Sequence, residues 1–148
     1  MLGPFPLVLE NPAAGKNFLN IFGTLGEIPG LPLDARETAI LAVGARYQAG
    51  YELYAHGNVA VKKLGMSRDV IDQIASGSKP QALNEQCSLA YDAARYLVDT
   101  PGKLSQELWD QCIKTFGRQG TIALVHYVGS YAYTCILLNA MDAPVPEE

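Results

Sequence analysis

Apolar positions recur at helical spacing along most of the chain, and no alternating apolar–polar run makes a convincing strand. From Asn11 onward, Ala13, Phe18, Leu19, Ile21, Phe22 and Leu25 mark an inward face. Asn11 serves as N-cap, Pro12 as the first helical residue and Gly26 as the stop. Ile28-Pro29-Gly30-Leu31-Pro32 is a turn. Asp34 then caps a second helix running to about Gln48, with Glu37 three residues later as in a capping box. This helix is apolar on every side from Ala39 to Ala45, the pattern of a buried helix. Gly44 in its middle costs about 1 kcal/mol against Ala and predicts a close helix crossing.

A third helix spans Glu52 to Leu64 and ends at Gly65 as a C′ glycine. Ser67 caps a short fourth, Arg68 to Ala75, with a stripe of Val70, Ile71 and Ile74. After a loop at Gly77 to Pro80, a fifth helix covers Leu83 to Val98 and turns Leu89, Ala90, Ala93, Ala94 and Leu97 to the core. Ser105 caps a sixth, carrying Leu108, Trp109, Cys112, Ile113 and Phe116. The last helix begins after Gly117 or Gly120, and Ile122 to Leu138 contains no Asp, Glu, Lys or Arg. That length approaches a membrane span. Its His126, Tyr127, Ser130, Tyr131, Tyr133 and Thr134, with no basic flank, favour instead a central buried helix or an oligomer interface. Residues 1–10 show no period and are expected to form an extended arm; residues 142–148 form a tail. The expected class is all-α, a single domain over residues 1–148.

Composition narrows the function. At 148 residues the chain can bury a proper core, and 49% hydrophobic with 18% charged residues excludes disorder. A net charge of −4, with no basic cluster beyond Lys62-Lys63, excludes nucleic acid as a partner. Met1 to Glu10 lacks the basic start of a signal peptide. Cys87, Cys112 and Cys135 are widely spaced, odd in number and without Cys-x-x-Cys. They indicate neither a disulfide scaffold nor a redox dithiol, and a reducing, cytoplasmic setting is expected.

The chemistry concentrates between Arg36 and His56. Glu52 and His56 lie four apart, so they share a helix face and can touch. Glu37 on the preceding helix can approach the same spot. Two carboxylates around an imidazole handle protons: the neutral ring gives or takes one near neutral pH, and a carboxylate one turn away orients it. The bland alternative is a surface Glu–His pair plus a capping-box glutamate. No metal is expected, because His126 is the only second imidazole and no His-Glu-x-x-His occurs. No Gly-rich phosphate loop signals a nucleotide. Tyr127 and Tyr131 are either core or an aromatic wall with hydroxyl donors.

Four stretches resemble the carboxymuconolactone decarboxylase family of the alkylhydroperoxidase D-like superfamily. They are Gly3-Pro4-Phe5 with Asn11-Pro12; Leu33-x-x-Arg36-Glu37-x-x-Ile40-Leu41; Tyr51-Glu52-Leu53-x-x-His56 with Ala60 and Gly65; and Val128-Gly129-x-Tyr131 with Leu137-Leu138-Asn139-Ala140 and the Val145-Pro146 tail. In the peroxidase branch of that group the signature helix carries Cys-x-x-Cys before its histidine. Here Ala49 and Glu52 stand at those positions, while His56 and Glu37 match the family histidine and glutamate. The resemblance therefore implies the decarboxylase-type branch: an all-α helical bundle of six to seven helices and a homo-oligomer (trimer or hexamer, or a dimer). It further implies cofactor-free lyase chemistry on a small keto- or lactone-type carboxylic acid. Catalytic roles fall on His56, Glu52 and Glu37, and a substrate pocket on Phe5, Tyr127 and Tyr131. Isomerisation, dehydration or ring closure by the same residues, and a non-catalytic oligomeric binding protein, are the alternatives.

Overall fold

The computed structural model describes residues 3–147. Among them there are seven helices and no strand: α1 (Phe5–Glu10), α2 (Pro12–Leu25), α3 (Leu33–Tyr47), α4 (Gly50–Leu64), α5 (Arg68–Ala75), α6 (Glu85–Asp99) and α7 (Gln106–Ala140). The chain is all-α, as its periodicity predicts.

α3 is the centre. Its residues from Glu37 to Gly44 are all buried, and it packs against α4, α5, α6 and α7. Gly44 makes the predicted close crossing: a Cβ there would sit 3.2 Å from Leu53 Cδ2 of α4. The helix ends where Gln48 takes a left-handed conformation. α4 stops in the same way at Gly65, at φ 69°, as expected of a C′ glycine. α6 turns Cys87, Leu89, Ala90, Tyr91, Ala93 and Ala94 inward.

α7 is interrupted at Gly117, whose φ of 68° and ψ of 177° are non-helical. The break falls at the first of the two glycines expected to separate the sixth and seventh helices. By length and composition α7 could cross a membrane. Here one of its faces, including Ala123, Leu124, Val128, Cys135 and Leu138, is buried in a chain where it packs on α3 and α6. Gly120 lets it approach the α2–α3 connection: a Cβ at Gly120 would meet the Gly30 carbonyl at 2.6 Å.

Four expectations need correction. Residues 5–10 are helical rather than an extended arm. Pro4 and Pro6 sit at the N-terminal end, where backbone N–H groups have no intrahelical partner, so proline costs nothing there. Six residues are also too few to display a period. α1 lies on α2 through a close contact in which a Cβ on Gly15 would run into the Val8 carbonyl. Second, α2 buries less than its pattern suggests. Phe18 and Leu25 are buried and Phe22 half-buried, but Ala13, Leu19 and Ile21 are exposed. α2 lies at the edge, packed mainly against α1 and α7, so one narrow stripe is covered.

Third, α3 starts earlier than expected. Pro32 is its N-cap, and Asp34 lies inside the first turn. Asp34 Oδ1 accepts from the Ala35 N–H at 2.9 Å and Oδ2 from Asn84 Nδ2 at 2.9 Å. Glu37 is therefore not a capping-box residue. Fourth, Ser67 stands at the N-cap of α5 but makes no side-chain cap bond. Asn11, Asn84 and Ser105 do cap α2, α6 and α7.

Candidate active site

Glu37 emerges from the middle of α3, where the helix is buried on all sides, and its own exposure is only 1%. A carboxylate so placed must be paired. It is paired twice. Oε1 accepts from Arg36 Nε at 3.1 Å, and Oε2 lies 2.6 Å from Nδ1 of His56 on α4. The other ring nitrogen, Nε2, is 3.4 Å from Glu52 Oε2 one turn earlier on α4. The three residues expected to converge do so, as a linear array with the imidazole between two carboxyl groups.

The two carboxyl groups are not equivalent. Glu37 has a full set of partners. Glu52 Oε2 is buried and makes no aligned hydrogen bond, the Nε2 contact being close but poorly directed. Burial raises the Glu52 carboxyl above its ordinary range; His56 opposes this and Glu37 reinforces it. Glu52 is thus biased toward the protonated acid.

The array opens on a cleft of about 270 Å³. Tyr51, Glu52, Ala55 and His56 of α4, with Tyr131 and Thr134 of α7, form one wall. Pro4, Phe5, Phe18, Leu19 and Phe22 form the other. Phe5 and Tyr131 therefore lie where a substrate pocket was expected. Tyr131 stands edge-on to the His56 ring, with centroids 4.9 Å apart and planes at 90°. Burial, then the two glutamates, push its hydroxyl far above the usual phenol range, so it stays a protonated donor.

Tyr127 does not line this cleft. It is buried behind it with Leu25 and Ile40, stacked at 6.2 Å on Tyr131, with the Arg36 guanidinium 5.6 Å from its ring centroid. Four residues along α7 turn a side chain by about one helical turn, and here that step separates cavity wall from core. Phe18, Phe22 and Tyr51 were not foreseen as lining. The spacing of Phe18 and Phe22 at i,i+4 put both on one face, but only the packing of α2 on α7 shows which face meets the cleft.

The thiols stand apart. Cys87, Cys112 and Cys135 are free and buried and do not line the cleft. Burial pushes Cys87 and Cys112 up to about 11 and, with Glu52 nearby, Cys135 up to about 12. Such thiols are poor nucleophiles. Among the described residues no group of three His, Cys, Asp or Glu side chains is arranged to hold a metal ion. The reason is geometric: Glu37 and Glu52 address opposite nitrogens of one ring and cannot aim at a common point.

The fold and site together define an all-α protein of the alkylhydroperoxidase D-like fold, with a carboxyl–imidazole–carboxyl array on the wall of an apolar cleft. Three solved structures share the fold. An uncharacterized peroxidase-related protein from Silicibacter sp. TM1040 superposes with a TM-score of 0.79 at 18% identity, over 90% of this chain and 71% of that one. The debrominase Bmp8 in its apo form gives 0.78 at 14% identity, over 94% and 74%. A cysteine-to-alanine variant of Bmp8 in complex with 2,3,4-tribromopyrrole gives 0.76 at 15% identity, over 93% and 73%. The sequence matches no family model and no curated protein. At these identities the likeness establishes the fold.

Proposed function

We propose that this chain is a cofactor-independent acid–base enzyme, a carboxy-lyase acting on a small keto- or lactone-type carboxylic acid. The observation that carries this reading is Glu52: a buried carboxyl, biased toward its acid form, on the wall of an apolar cleft and beside an imidazole held by a second carboxylate. This pairing of two carboxyl groups with unlike environments divides acid from base.

In the reaction, the bond between the substrate's α-carbon and its carboxylate breaks, and carbon dioxide leaves. The electron pair passes to the adjoining carbonyl as an enolate. Glu52 gives its proton to the carbon, forming the neutral product, and regains one from water through the cleft mouth. His56, oriented by Glu37, is the acid–base group beside Glu52. The apolar wall of Phe5, Phe18 and Phe22 disfavours the charged substrate more than neutral carbon dioxide, which adds to the driving force.

A second reading has its own support: among the described residues no Lys or Arg lines the cleft to bind a carboxylate. The same array would then shuttle a proton in an isomerisation, dehydration or ring closure. Product mass separates the two, since only the first loses carbon dioxide. The decisive test is carbon dioxide release from a panel of β-keto and unsaturated lactone acids, comparing wild type with His56→Ala. The expected loss is about 10²- to 10⁴-fold. Equal turnover would remove His56 from the chemistry. Absence of any turnover across both reaction types would favour a non-catalytic binding protein.

A further inference from the structure

Arg36 touches neither the cleft nor any group facing it except through Glu37. Its Nε and Nη2 both lie 3.1 Å from Glu37 Oε1. Consecutive residues on a helix do not normally face each other, so this contact is no default of α3. It is enforced from outside: the guanidinium is held over the Tyr127 ring, 5.6 Å from its centroid. The two oxygens of Glu37 are thereby divided, Oε1 to Arg36 and Oε2 to His56 Nδ1 at 2.6 Å.

We propose that Arg36 is a positioning residue that sets the tautomer of His56 through Glu37, leaving Nε2 as the acceptor that faces Glu52. This deepens, and rests on, the acid–base reading above. With Glu37 committed to Arg36 as a carboxylate, Oε2 is an acceptor only and requires a proton on Nδ1. The opposite tautomer would set the Nδ1 lone pair against a carboxylate oxygen at hydrogen-bond distance. Nε2 is then unprotonated in the neutral ring and faces Glu52 Oε2 at 3.4 Å. The Glu37 contact thus fixes which ring nitrogen carries the proton before substrate enters.

The groups facing His56 are few. α3 brings Arg36 and Glu37, and α4 brings Glu52. α7 brings Tyr131 against the ring, with Tyr127 and the Cys135 thiol behind. Among the described residues, the cleft wall from Pro4, α1 and α2 carries no titratable side chain. Arg36 is the one cation among these described groups.

Nitrogen-15 NMR of the neutral imidazole tests the inference directly. The chain has two histidines, and His126 lies exposed on α7, so a His126→Gln background leaves His56 as the single ring signal. There the Nδ1–H tautomer should dominate. Arg36→Met should lower the ratio of Nδ1–H to Nε2–H by about tenfold, the scale of one weakened charged hydrogen bond. Arg36→Lys, which restores the charge, should recover most of it. A purely structural Arg36 would lower the melting temperature and leave the ratio unchanged, which overturns the proposal. Should Arg36→Met not fold, Arg36→Gln takes its place with the same two outcomes. The measurement needs no turnover. An unchanged ratio in an active enzyme overturns this inference alone, and a changed ratio in an inactive chain supports it while removing the enzyme reading.

Discussion

Glu37 and His56 are 19 residues apart in sequence, on different helices, and their Oε2 and Nδ1 atoms lie 2.6 Å apart. This one contact joins the buried interior of α3 to the cleft wall on α4. It gives a deeply buried carboxylate its partner and gives the imidazole a fixed orientation.

Glu37→Gln keeps the shape of this contact but removes the charged acceptor that orients the ring. Its kcat/KM should fall by about 10- to 10²-fold for a substrate that wild type turns over. The double variant Glu37→Gln, His56→Ala should be no worse than His56→Ala alone, because the two act as one unit. Additive losses would show that Glu37 works independently of the ring.

Glu52 couples stability to pH with a definite sign. Its folded-state carboxyl titrates above the ordinary value of 4.5. Below that value both folded and unfolded chains hold the proton, and its burial is free of charge penalty. As pH rises past it, the unfolded chain ionises first and stability falls, until the folded carboxyl also ionises. Glu52→Gln should flatten this part of the profile and melt higher than wild type at neutral pH. Parallel denaturation curves from pH 4 to 8, measured on both proteins, would contradict the assignment of Glu52 as a buried acid.

Gly120 lets α7 touch backbone. A Cβ there would lie 2.6 Å from the Gly30 carbonyl, which has no flexible side chain to yield. Gly120→Ala should cost about 1–3 kcal/mol, as overpacking does. Gly129, whose Cβ would meet nothing within 4 Å, is the control: Gly129→Ala should be neutral or stabilising. Chemical denaturation of the two variants checks the contrast.

Gly15→Ala acts on the cleft from a distance. The new methyl collides with the Val8 carbonyl and must displace α1, which carries Phe5 on the cleft wall. The array on α3 and α4 is untouched. KM should rise and kcat fall several-fold, because Phe5 belongs to the apolar wall that destabilises the charged substrate. Unchanged kcat and KM would remove α1 from the cleft's role in turnover.

Most helices were legible because their apolar stripes are long enough to show a period and their ends carry glycine or a capping side chain. α5 and the Gly65 stop follow directly from the residues. α1 was missed because six residues cannot display a 3.6-residue repeat. The outward Leu19 and Ile21 of α2 misled because an apolar pattern does not say how much neighbouring surface exists to cover it. At the site, Glu52 and His56 could be paired from their spacing alone. Tyr127 could not be separated from Tyr131, since both fit the same stripe and only the packing behind Arg36 divides wall from core.

The sequence by itself determined the all-α class and the burial of α3, because these depend on local pattern and residue type. Only the tertiary structure decided which groups Glu37 meets. Its position three residues after Asp34 suits a helix cap as well as a proton relay, and both readings obey the same local geometry. The crossing of α3 and α4 at Gly44, where a missing side chain lets the helices close, goes with Glu37 meeting His56 and turning from the helix end. Long-range packing, not local spacing, chose its partner.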